Sequence, residues 1–145
     1  MRGAWGPRTL AFVAYVAASP LAAQNMDCAE PITQLDMNQC AYAAWQEADA
    51  QLNDAYRLAI AKARRIDSFD PALPRRAGGP ETDGVSTEEM LRRAQRAWIT
   101  FRDAACLVDS DIARGGSMQP LLFSSCAASL TRTRTEQLRS FGEFD

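Results

Sequence analysis

The four cysteines, Cys28, Cys40, Cys106 and Cys126, are the first residues in this chain whose type and spacing could do chemistry. A reactive thiolate needs a base or cation beside it to depress its pKa, and the usual base is histidine. The chain has no histidine. That absence removes Ser–His–Asp triads, Cys–His dyads, imidazole bases and histidine metal ligands together. No two cysteines have the close spacing of a zinc knuckle, so a cysteine metal site is a poor reading. We expect no metal and no cofactor, and cystines in place of reactive thiols.

Carboxylates are the next chemical class. Glu88 with Glu89, and Asp109 with Asp111, are neighbours in sequence. A glycosidase needs one carboxyl with a raised pKa facing another across a sugar. Adjacent acids at a helix start or in a turn serve capping and dipole matching instead. Gly115-Gly116 lacks the lysine of a phosphate loop. The reading is a protein that is not an enzyme. The formal charge of −2, from 16 basic and 18 acidic residues, gives no overall basic field, so nucleic acid is not an expected partner.

The N-terminus places these cysteines in an oxidising compartment. Arg2 and Arg8 are the only charges before Asp27, and the nearly unbroken apolar run Leu10 to Leu21 leads into Ala22-Ala23-Gln24. This is a positive n-region, a short h-region and a small-residue cleavage site, so residues 1–23 read as a signal peptide cut after Ala23. The run is shorter than the ~20 residues a bilayer span needs. No stable membrane insertion is expected after cleavage, and the location is periplasmic or secreted. Losing Arg2 and Arg8 leaves 14 basic against 18 acidic residues, a mature charge of −4. Four cysteines allow three connectivities. The shorter loops favour Cys28–Cys40 with Cys106–Cys126, although spacing alone leaves a non-local pair such as Cys40–Cys106 open.

Three helices must position these residues, giving a small all-α, antiparallel three-helix bundle over 24–145. The first starts at Thr33, with Asp36 three residues on, and runs to about Asp67. Its stripe is Ala41, Trp45, Ala48, Leu52, Ala55, Ala59, Ala63 and Ile66, at steps of three and four. Residues 68–85, with three prolines and three glycines, read as an exposed flexible linker. Ser86 and Glu89 form a capping-box pattern opening the second helix, whose apolar positions are Leu91, Ala94, Trp98, Phe101, Ala105 and Val108. It ends near Asp109. Ser117 caps the third helix, with Pro120 in its first turn, and Leu122, Cys126, Leu130, Thr133 or Arg134, Gln137 and Phe141 continue it. A short connection makes the last two helices antiparallel. The linker lets the first pack antiparallel to the second, which gathers all four sulfurs at one end.

Two segments carry a resemblance. One is M-N-Q-C-A-Y-A-A-W-Q-E-A-D-A-Q-L-N-D-A-Y from Met37 to Tyr56. The other is A-Q-R-A-W-I-T-F-R-D-A-A-C from Ala94 to Cys106, followed by G-G-S-M-Q-P and a C-x-x-x-L-T-R-T-R-T-x-x-L tail. Together they resemble the LprI-like lysozyme-inhibitor family of small exported bacterial proteins, over about Cys28 to Phe141. The resemblance implies an all-helical domain with two disulfides in the cell envelope, and lysozyme inhibition is the activity attached to the family's name. The long Pro/Gly linker departs from the family's pattern.

Within those motifs, Asp49, Asn53 and Tyr56 share one face of the first helix, and Gln95, Trp98 and Arg102 share one face of the second. Antiparallel packing could join them beside Trp45 and Trp98 as a structural network, with an Arg102–Asp49 pair setting register. For partner contact, the polar turn 109–117 is the candidate, through Asp109, Ser110, Asp111 and Ser117, and a Cys106–Cys126 bridge, if that pairing forms, would brace it. Animal-type lysozymes are basic, so an acidic protein would be drawn to them. The expected partner is a lysozyme or another envelope protein. The alternative reading is a non-inhibitory periplasmic protein or scaffold, glycan- or stress-related.

Overall fold

The computed structural model describes residues 27–69 and 85–143. The expected signal peptide (1–23) and residues 70–84 of the expected linker lie outside the described residues. Among the described residues three helices make up the fold, α1 (Gln34–Phe69), α2 (Thr87–Ser110) and α3 (Gln119–Arg139), with a 3-10 turn at Asp111–Ala113. No strand occurs among the described residues.

Local chemistry sets the helix starts. Thr33 and Asp36 form a reciprocal capping box: Asp36 N–H donates to Thr33 Oγ1, and Thr33 N–H donates to Asp36 Oδ2, both at 3.1 Å. Hydrogen bonding to the Thr33 side chain, and then to its backbone N–H, holds the Asp36 carboxyl below its ordinary pKa. Ser86 Oγ accepts from Glu89 N–H at 3.2 Å, as its position predicts. The remaining free donors of α2 are met from outside the helix. Asp67, near the end of α1, accepts from the N–H groups of Thr87 and Glu88 at 2.7 and 3.0 Å. The third start differs from expectation. Met118, not Ser117, holds the N-cap position of α3, and it makes no side-chain cap bond. The Ser117 carbonyl instead accepts from Asn38 Nδ2 at 2.9 Å, tying the turn to α1.

These contacts fix the topology. Asn38 meets Ser117 at one end, and Lys62 Nζ reaches the carbonyls of Arg139 and Phe141 at the other, so α1 and α3 run parallel. Arg64 pairs with Glu88 and Arg102 with Asp49, so α2 runs antiparallel to the α1–α3 pair and packs alongside it. The disulfides are Cys28–Cys40 and Cys106–Cys126, the local pairing, both at the end where α1 and α3 begin.

The interior is made of small and polar side chains. Along α1, Ala41, Ala48, Leu52, Ala55, Ala59 and Ala63 are buried, close to the expected stripe, while Ile66 is exposed and Trp45 only partly covered. In α2 the expected face is rotated. Leu91, Gln95, Arg102, Cys106 and Ser110 are buried, whereas Ala94, Phe101 and Val108 are exposed, roughly a quarter turn away. In α3 the buried residues are Ser124, Ala127, Ala128, Thr131, Thr135 and Leu138 rather than the expected Leu122, Leu130 and Gln137 series. Thr135 Oγ1 donates to the Thr131 carbonyl at 2.8 Å, which lets a hydroxyl sit inside without an unpaired donor. One hydrophobic group at the far end, Leu52, Ala55, Ala59, Ile60, Ala63, Leu91 and Leu138, is closed by Tyr56, Trp98 and Phe141.

Candidate functional site

Arg102 organises the seam between the helices. Its side chain is 8% exposed. The guanidinium carbon lies 5.2 Å from the ring centroids of both Trp45 and Trp98, a double cation–π contact. Nε donates to Asp103 Oδ1 at 2.9 Å, and Nη1 reaches Asp49 Oδ1 at 3.4 Å and Thr131 Oγ1 at 3.5 Å. Asn53 Nδ2 donates to the other oxygen of Asp49 at 3.2 Å. Residues from all three helices therefore converge on one charge. A buried guanidinium needs such partners, because an unpaired ion in a dry site is strongly unfavourable.

The sequence grouping is brought together in part. Asp49, Asn53 and Arg102 meet. Gln95 does not join them: it is buried lower in the bundle and accepts from Arg134 Nε at 3.1 Å. Burial there pushes the Arg134 guanidinium below its ordinary pKa. Tyr56 packs against the apolar group instead of satisfying Arg102. Two partners went unread in the sequence, Asp103 and Thr131. Asp103 is adjacent to Arg102, where helix periodicity points side chains apart; only the length of the arginine closes the gap.

Above Arg102 lies an open groove of about 440 Å³, lined by Tyr42, Trp45, Gln46, Asp49, Ala50, Asn53 and Arg102. Six of these come from one flank of α1. Tyr42 is half exposed and stands edge-on to Trp45, with centroids 5.9 Å apart. Phe123 of α3 supports Trp45 from the other side at 5.6 Å. Trp45 Nε1 is buried with no acceptor among the described residues. Such an orphaned donor costs about 1–3 kcal/mol.

The turn between α2 and α3 is compact. Arg114 forks onto Asp111 at 2.7 and 2.8 Å, Gly115 N–H donates to Gln119 Oε1 at 3.0 Å, and Gly116 N–H donates to the Ala113 carbonyl at 2.9 Å. Gly115 adopts φ +74°, the left-handed region that favours glycine. Asp109, Asp111 and Ser117 are exposed. Ser110 is not: it is fully buried and donates to the Leu107 carbonyl at 3.2 Å, so its hydroxyl has no path to a partner. Ile112, not singled out in the sequence, stands 90% exposed at the tip of the turn.

Charge is segregated along the bundle. The half holding the disulfides (27–52 and 100–131) has eight carboxylates, at 27, 30, 36, 47, 49, 103, 109 and 111, against Arg102 and Arg114, a net −6. The opposite half (53–69, 85–99 and 132–143) has ten cations, at 57, 62, 64, 65, 92, 93, 96, 132, 134 and 139, against six carboxylates, a net +4. Within that half Glu88 accepts from both Arg64 and Arg92, which hold its carboxyl down at about 2. No group of side chains able to hold a metal ion occurs among the described residues. None of their helices is long and apolar enough to cross a membrane.

Comparison with known proteins gives a consistent answer. The family described as lysozyme inhibitor LprI matches residues 26–138. An uncharacterized protein of Rhizobium meliloti (strain 1021) is 40% identical over 117 residues, covering 81% of this chain and 79% of the relative. No solved structure matches.

Proposed function

Because the chain belongs to the LprI lysozyme inhibitor family, we propose that it is an exported envelope protein that binds a lysozyme through the disulfide-bearing end of the bundle and covers its cleft. The observation that carries this reading is the charge segregation. The whole-chain charge of −2 is small, but the half that carries both disulfides and the α2–α3 turn is −6, which orients the molecule toward a basic surface. Such steering raises the association rate more than the final affinity. Affinity then needs a rigid, desolvated contact. Ile112, flanked by Asp109 and Asp111 and close to Ser117, supplies an apolar tip on a turn held by the Cys106–Cys126 bridge and by Gln119. Little ordering entropy is lost when such a turn docks.

The test is a cell-wall clearing assay with the purified, oxidised, mature protein. Stoichiometric inhibition that weakens as salt rises is expected. A triple variant, Asp109→Ala, Asp111→Ala and Ile112→Ser, should inhibit at least roughly tenfold less well while melting at the wild-type temperature. Undiminished inhibition by that variant would move the docking surface elsewhere. No inhibition by the wild type at large excess would replace this reading with the non-inhibitory scaffold.

A further inference from the structure

We propose that the groove above Arg102 is a binding site for a neutral saccharide, on the flank of the acidic half and sharing no residue with the α2–α3 turn proposed to face a lysozyme. The argument begins with what the groove's charges are doing. Arg102 is already matched by Asp49 and Asp103, and the second oxygen of Asp49 already accepts from Asn53. A phosphate or carboxylate ligand would find no free cation there. A lysine or arginine side chain from a protein partner would reach Asp49 only in competition with Arg102 and Asn53. The groove is polar without being charged toward its occupant.

Its remaining surface suits a polyhydroxylated ring. Tyr42 offers a half-exposed aromatic side chain, and Trp45 continues the same wall. Aromatic faces pack against the C–H face of a sugar, using apolar area without demanding a charge. Beside them stand planar polar groups, the amides of Gln46 and Asn53 and the carboxylate of Asp49, which can donate to or accept from adjacent hydroxyls. Tyr42, Gln46, Asp49 and Asn53 follow one another at steps of four, three and four, so they form a single line along α1. Ala50 leaves the space open. A volume of about 440 Å³ lies within the ~300–1,000 Å³ of small-molecule sites, and the open side suits an extended chain.

Trp45 and Trp98 both hold Arg102, so tryptophan fluorescence reports directly on this seam. The mature, oxidised protein is titrated to about 10 mM, a weak-binding limit, with three neutral trisaccharides: tri-N-acetylchitotriose, cellotriose and maltotriose. Saturable binding of at least one is expected, unchanged between low and high salt because the ligand is uncharged. Tyr42→Ala and Asn53→Ala should each weaken it by about tenfold or more. Tyr42→Phe, which keeps the ring, should retain it within about threefold. A melt and a clearing assay on each variant separate this site from folding and from lysozyme docking. Absence of binding by all three sugars would overturn the proposal. So would binding that survives both alanine variants, or a groove that takes only a tri-arginine or tri-lysine peptide in a salt-sensitive way.

Discussion

Replacing Arg102 with alanine tests whether one caged guanidinium holds three helices in register. The full penalty for breaking a buried pair, about 3–5 kcal/mol, does not apply. The side chains of Asp49 and Asp103 are 45% and 47% exposed, so both carboxylates can rehydrate. What is lost is packing and stacking. Two cation–π contacts contribute about 0.5–2 kcal/mol each. The apolar stem and the space left between two indoles add to that, and the half-exposed ion pairs about 0–1 kcal/mol. The expected loss is about 3 kcal/mol. At about 4 °C per kcal/mol for a domain of this size, the melting temperature should fall by about 12 °C. Thermal melts followed by circular dichroism, with disulfides intact, measure it. Lysine should recover about half, since it keeps the charge but not the flat fork. Methionine should recover part through packing alone. An alanine variant melting within about 2 °C of wild type would refute the reasoning, because it would mean that the cage contributes nothing net.

Three further outcomes follow from the cross-links and the far-end ion pairs. Removing Cys106–Cys126 with a pair of serines should cost about 3 kcal/mol in urea unfolding, because the bridge joins two packed helices across 20 residues. Removing Cys28–Cys40 should cost less than half as much, since it pins only the exposed segment ahead of α1. Acid should destabilise the protein through Glu88. Its folded pKa of about 2 lies below the ordinary 4.5, so its contribution is fully present above about pH 4.5 and fades as pH falls toward 2. Glu88→Gln should flatten the fall in melting temperature over that window, and an unchanged slope would remove Glu88 as its source.

The length and order of the helices and the caps of the first two were legible in the sequence because they depend on local rules, whereas the cap expected at Ser117 was not found. Thr33 with Asp36, and Ser86 with Glu89, sit where the capping patterns place them. The orientation of α2 and α3 was not, and the reason is physical. Apolar periodicity locates the face that water disfavours, whereas burial also depends on whether a polar group finds partners inside. Gln95 finds Arg134, and Arg102 finds two indoles and two carboxylates. Thr135 bonds its own helix. With those three satisfied, the polar side of α2 turns inward and Phe101 and Val108 are left outside. The groove was half legible: Asp49, Asn53 and Arg102 were grouped by spacing, but Tyr42 and Gln46 gave no signal before the rotation of α2 was known.

The double hold of Asp67 on the first amides of α2 bears on how the chain re-enters the bundle after residues 70–84. Asp67 fastens Thr87 and Glu88, and Arg64 fastens Glu88 again, so the two stems of residues 70–84 are clamped together by groups that belong to the bundle. Ring closure is then set by the clamp, and each doubling of the intervening length adds only about 0.6 kcal/mol. The fold thus carries a tolerant insertion port opposite its acidic tip, where sequence can be lengthened, trimmed or exchanged for a tether without disturbing either the guanidinium cage or the cystine-braced turn.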